Sequence, residues 1–141
     1  MKQKTKVQYE EVTLIPVKGT PGRGSGPGGE KWRIEVEKVQ AGMVYINVIE
    51  DSVIGKHASI QIFLNLKSQG RGIGRIGYLK ACELSQHATI YAHMRKSNIA
   101  SRRAAEAAGF IDATPEGYRQ LILVRHKSQK VPSHQSKWHT W

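Results

Sequence analysis

The chain has 141 residues, a single cysteine and a formal net charge of +11. A hydrophobic fraction of 39% is enough for one core, and no apolar run approaches the roughly 18 residues of a membrane-spanning helix. Wholesale disorder, a disulfide framework and a helical membrane span are therefore not expected, whereas polyanionic partners are. The lone Cys82 fits a reducing compartment. The basic stretch 1–6 has no apolar segment behind it, so a cytoplasmic location is expected rather than secretion.

Residues 7–15 read as a first strand. Residues 16–31 hold six glycines and three prolines, which cannot sustain a helix or a central strand, and are expected to form a flexible loop. Residues 32–39 and 43–49 alternate and are rich in Val and Ile; with Ala41-Gly42 between them they read as an antiparallel hairpin. Residues 58–64 form a further strand. Residues 72–85 carry Ile73, Ile76, Leu79, Ala81 and Leu84 near helical spacing, and residues 88–94 alternate as a strand. Residues 98–108 follow Ser97, a candidate N-cap, and stop at Gly109, so a helix is expected there. Residues 118–125 make a last strand, and 127–141 a polar, basic tail. The expectation is one domain over residues 1–126: an α+β fold with a mixed, mostly antiparallel sheet and helices packed on its faces.

The most informative segment is Gln69-Gly70-Arg71-Gly72-Ile73-Gly74. A strand runs through glycines into a helix there, and such a turn presents unpaired N–H groups and a partial positive charge, a site for phosphate. A tight turn with no ligand is the plain alternative. Gly72, Gly74 and Gly77 also match the spacing of a dinucleotide fingerprint, but an antiparallel meander precedes them and no acid ends the following strand, which reads His93-Met94-Arg95. A Walker loop fails because no Gly-Lys-Ser/Thr follows the glycines.

The same residues resemble the Q/R-x-x-G-x-G/A motif of the GNAT acyltransferase superfamily. A companion lies 24 residues after Gly74: Asn98-x-x-Ser101, then seven residues, then Gly109-Phe110. The stretch from Ser101 to Phe110 is similar to the ribosomal-protein acetyltransferase branch, and the resemblance covers about residues 32–126. It implies acetyl-coenzyme A (acetyl-CoA) as the cofactor. Backbone groups of Ile62, Phe63 and Leu64 would pair with pantetheine and polarise the acyl carbonyl. Gly70, Arg71, Gly72, Ile73, Gly74 and Arg75, after Gln69, would hold the pyrophosphate, and Asn98 the pantetheine arm. Arg102 or Arg103 meets the 3′-phosphate or faces solvent.

The implied reaction is attack of a neutral amine on the thioester, which needs a base and, for the thiolate, an acid. His93 stands five residues before Asn98, where some relatives place a glutamate base, and shares a strand face with Thr89 and Tyr91; it is either that base or a packed histidine. The usual acid tyrosine is replaced by Ala105, leaving Ser101, Tyr118 or solvent. Cys82 reads as core. The six histidines show no metal-ligand spacing. The two helices that usually follow the first strand are replaced by 16–31, so the acceptor side is open, or completed by the loop, the tail or another subunit in a homodimer. The expected acceptor is a primary amine of a peptide, protein or aminoacyl-tRNA. The rival readings are a basic nucleic-acid or ribosome-binding module on the same fold, and an acyl-CoA sensor. Lys137, Trp138, His139 and Trp141 of the tail either stack on nucleic acid or form a plain terminus.

Overall fold

A computed structural model describes residues 5–127. The aromatic and basic residues 128–141 lie outside the described residues. The elements are β1 (Val12–Pro16), β2 (Glu30–Val36), β3 (Val39–Asp51), β4 (Gly55–Leu64), α1 (Ile73–Leu84), β5 (Thr89–Arg95), α2 (Ile99–Ala107), β6 (Ile111–Asp112) and β7 (Gln120–His126). They form one seven-stranded sheet in the order β1-β2-β3-β4-β5-β7-β6. Every neighbouring pair is antiparallel except β4 and β5, whose connection runs through α1. The mixed, mostly antiparallel α+β sheet expected from the strand and helix order is therefore the one observed.

Alternation sorts the side chains onto two faces. On one, Ile34, Val44, Ile46, Ile60, Ile90 and Leu123 lie beneath Ile73, Ile76 and Ala81 of α1, and Ala105 of α2 with the adjoining Ala108 joins the same core. Removing a side chain such as Ile60 or Ile76 from water contributes about 2 kcal/mol. α1 sits low on the sheet because Gly77 has no side chain: a Cβ there would come within 3.3 Å of Ile62 and 3.5 Å of Ile34. Both helices pack on this face. The other face carries Met43, Tyr45, Phe63, Tyr91 and His93, and no helix lies between β1 and β2 among the described residues.

Local details depart from the sequence reading. The β2–β3 hairpin turns at Glu37 and Lys38, with φ of 53° and 65°, not at Ala41-Gly42. A two-residue turn with both residues left-handed matches the twist of the strands it joins. Ala41 and Gly42 lie inside β3, beside a register shift at Ile34/Glu35. Glycine is required at 42 because a Cβ would fall 2.0 Å from the Phe63 carbonyl oxygen of β4. The first strand is shorter than expected, since Tyr9–Glu11 forms a 3-10 turn before β1. Asn98, not Ser97, caps α2: its Oδ1 accepts from the Ser101 N–H at 3.2 Å. Gly109, with φ of 100°, ends the helix as expected.

The glycine-rich segment follows a defined path. Gly24 N–H donates to Asn47 Oδ1 (2.7 Å), Asn47 Nδ2 donates to the Gly22 carbonyl (2.9 Å), and His87 Nε2 donates to the Gly28 carbonyl (2.7 Å).

Candidate active site

The site begins where the sheet comes apart. The parallel β4 and β5 pair only at Ala58↔Ile90 and Ser59↔Tyr91. Beyond those pairs β4 continues to Leu64 and β5 to Arg95 without a shared ladder. Backbone groups of residues 60–64 that face away from β3 thus have no strand partner and are left to pair elsewhere, as the Leu64 carbonyl does with Gln69 Nε2 (3.3 Å). An extended ligand bearing amides is another such partner.

The split opens into a cleft of about 730 Å³. Its wall brings together most of the residues singled out in the sequence: Ile62 and Leu64 from β4; Gln69, Gly70 and Gly72 from the turn; Ile73, Gly74 and Arg75 from α1; and Asn98 and Ser101 at the start of α2. Three side chains among the cofactor-binding candidates do not join them. Phe63 is 56% exposed on the opposite face, its ring 5.9 Å from Tyr45, so only its backbone follows the split. Arg71 turns to the N-terminal segment, donating from Nε to the Thr5 carbonyl at 2.9 Å. Arg102 pairs with Glu106 at 3.3 Å, and Arg103 lines the cleft instead.

Lys6 and Tyr78 also line the cleft and were missed. The segment around Lys6 straps the turn: Val7 N–H donates to the Arg71 carbonyl (3.0 Å) and Lys6 Nζ to the Gly70 carbonyl (2.8 Å). Gly70 and Gly72 have φ of 79° and 83°, and Gly72 caps α1 with no side-chain hydrogen bond. The first turn of α1 holds no acid but does hold Arg75, the reverse of what the helix dipole favours. Lys6, Arg75 and Arg103 thus meet a helix N-terminus with no carboxylate in the cleft wall. That arrangement suits a polyphosphate anion.

Deeper in, the Tyr78 hydroxyl and Ser101 Oγ are hydrogen-bonded at 2.8 Å. Burial raises the Tyr78 pKa above that of a free phenol, and the bond to Ser101 partly opposes the rise. Cys82 is buried in α1, and desolvation pushes its thiol up to about 12, the behaviour of a core side chain rather than a nucleophile.

On the far face a second group of polar side chains meets the start of the split. His93 Nε2 lies 2.8 Å from His57 Nε2, and His57 Nδ1 lies 2.7 Å from the Gly55 carbonyl oxygen. Burial pulls the His93 pKa below 6.5, with a smaller push from His57; Asp51 and a hydrogen bond with Gln120 act the other way. Tyr118 does not reach the cleft. Its hydroxyl donates to Asp51 Oδ1 at 2.6 Å, which holds the carboxylate down at about 2 and pushes the phenol up to about 12. Among the described residues there is no cluster of three metal-ligating side chains, and no helix is long and apolar enough to cross a membrane.

No protein-family model and no curated protein sequence matches the chain. Solved structures do. An F149G mutant of the spermidine N-acetyltransferase SpeG from Vibrio cholerae superposes with a TM-score of 0.63 at 17% identity, covering 84% of this chain and 95% of that one. RimJ of Mycobacterium smegmatis, in complex with CoA-disulfide, gives 0.59 at 19%, covering 84% and 61%. A GNAT-family acetyltransferase from Streptococcus pneumoniae gives 0.57 at 13%, covering 75% and 71%. At these identities the likeness is one of fold.

Proposed function

We propose that this chain is an N-acetyltransferase that moves an acetyl group from acetyl-CoA to a primary amine. The observation that carries this reading is the parted β4–β5 pair opening onto a cationic, acid-free helix N-terminus. The N–H groups of residues 70–74 with Arg75 would hold the pyrophosphate, flanked by Lys6 and Arg103. Asn98 and the β4 backbone at 60–64 would take the pantetheine amides. Acetyl-CoA, when bound, supplies an activated acyl group with a thiol leaving group. An ammonium acceptor gives up two protons as the C–N bond forms and the C–S bond breaks: one goes to a base and then to water, the other ends on the thiol. His93 is the base in this scheme, on the face from which an amine can arrive without crossing the cleft. Ser101, backed by Tyr78, is the acid; Tyr118 would first have to leave Asp51.

The acceptor we infer is the amine of a peptide, protein or aminoacyl-tRNA. Among the described residues no helix covers the face of His93 to close a small pocket. Asp51, the carboxylate that acts on His93, already accepts from Tyr118, so a polycation such as spermidine, named for one structural neighbour, finds little to select it. The net charge of +11 favours an acceptor with anionic surroundings.

Calorimetric titration with acetyl-CoA, with dephospho-CoA in parallel, tests the cofactor. Saturable binding, weakened without the 3′-phosphate, is expected; no binding of either overturns the reading. The charge also favours a second reading, a basic RNA-binding module on this fold. Steeply salt-dependent RNA binding without affinity for acetyl-CoA would put it first. Acetyl-CoA binding with no transfer to any amine would leave a sensor of acyl-CoA.

A further inference from the structure

We propose that His57 is a positioning residue for His93: the two rings form one unit that accepts a single proton, with His57 fixing the tautomer of His93 so that His93 Nδ1 is the basic atom. The catalytic part of this proposal rests on the acetyltransferase reading above; the tautomer assignment does not.

The argument starts at Gly55. Its carbonyl oxygen can only accept, so His57 Nδ1, 2.7 Å away, carries a hydrogen. A neutral imidazole has one N–H, which leaves His57 Nε2 bare. That bare nitrogen lies 2.8 Å from His93 Nε2. Two lone pairs at that distance repel and two N–H groups collide, so the pair needs one proton between the rings. With His57 bare, it belongs to His93 Nε2. Neutral His93 then has its lone pair on Nδ1. After Nδ1 takes a proton, the His93 imidazolium still donates to His57, now as a charge-assisted bond. A second proton on the pair would set two donors face to face, so the rings take up one proton, not two.

The surroundings hold this arrangement. His57 is 8% exposed, with its ring 4.8 Å from Tyr91 of β5 and its centre 5.1 Å from that of the His93 ring, the two planes 16° apart. Asp51, at the end of β3, favours the imidazolium and is itself held by Tyr118 from the segment before β7. The Gln120 side chain of β7 also favours the imidazolium of His93. His57 and His93 bracket the register pairs Ala58↔Ile90 and Ser59↔Tyr91, where the split begins. The unit therefore stands at the apex of the parted strands, on the face opposite α1 and α2.

Two measurements on the full chain decide the matter. Long-range proton–nitrogen NMR of the histidine rings reports tautomers whether or not the protein turns over. At pH 8, His57 should be the Nδ1–H form and His93 the Nε2–H form, with one proton taken up between them as pH falls. A His93 Nδ1–H form, or two independent titrations, overturns the pairing. Kinetics then compare His57→Phe, which keeps the packing, and His57→Gln, whose amide oxygen can accept from His93 Nε2–H. With acetyl-CoA and peptides bearing free N-termini, His57→Phe should lower kcat about tenfold and shift the acid limb of the pH profile. Its affinity for acetyl-CoA should stay within about twofold, while His57→Gln recovers most of the rate, since it retains the acceptor that positions His93. An unchanged pH profile in His57→Phe overturns the positioning role and leaves acetyl transfer standing. If the wild type shows the expected tautomers but transfers no acetyl group to the peptides, the catalytic role falls with the enzyme reading.

Discussion

The backbone favours glycine at both 72 and 42, for opposite reasons. Around Gly72 there is open space, but its φ of 83° is one that side chains resist; Gly42 has an ordinary backbone and no room at all. Gly72→Glu should therefore cost about 1–2 kcal/mol in folding and place a carboxylate where the cleft gathers cations. Calorimetry should show loss of acetyl-CoA affinity in a protein that still melts cooperatively. Undiminished affinity would remove the glycine turn from the phosphate site. His93 makes a prediction in pH. Its folded pKa lies below its unfolded value of about 6.5, so above that value it adds no pH dependence to stability. As pH falls below it, the unfolded chain takes a proton that the folded one resists, and stability declines down to the lowered folded pKa. Urea unfolding between pH 7.5 and 5.0 should show a steeper decline for the wild type than for His93→Gln; parallel curves would contradict the shift.

At the level of elements, what could be read in the sequence was local. The turn into α1 announces itself because its glycines and the apolar repeat after them are contiguous, and so do the strand of His93 and the Gly109 stop of α2. The β2–β3 turn was misplaced because Glu37-Lys38 carries no glycine, while the glycine nearby serves the approach of β3 to β4. Lys6 and Tyr78 were out of reach for another reason. Lys6 meets Gly70 across 64 residues, and Tyr78 meets Ser101 from a different helix. Only packing brings them to the cleft. If Lys6 does face the bound phosphates, Lys6→Gln should weaken acetyl-CoA several-fold and flatten the salt dependence of binding, with thermal stability nearly unchanged. An unaltered salt slope would confine it to strapping Gly70. Arg125 of β7 is 6% exposed, and its Nε donates to the Ala108 carbonyl at the C-terminal end of α2 (2.9 Å). A cation suits that end of a helix. Arg125→Met should lower stability by about 1–3 kcal/mol in chemical denaturation; a neutral result would mean that water satisfies the carbonyl.

For the whole molecule, the strand and helix order in the sequence was sufficient for the class of sheet, because alternation and helical spacing switch cleanly along the chain. It did not tell that both helices share one face, nor that residues 17–29 are stitched to Asn47 and His87, since neither follows from a local pattern. Nor did it show that the basic cluster is divided in purpose. Arg75 and Arg103 line the cleft, whereas Arg71 and Arg102 are occupied by Thr5 and Glu106.

The meeting of β4 and β5 at just two register pairs has a mechanical meaning as well. It makes the sheet two leaves, β1–β4 and β5–β7–β6, sharing a narrow seam. A long, amide-bearing molecule lying in the gap would act as a splint, lending the leaves the crosslinks that their own backbones do not make. Acetyl-CoA at 100 times its Kd should then raise the unfolding free energy by about 2.7 kcal/mol, and amide exchange should slow along both leaves at once rather than only at the contacts.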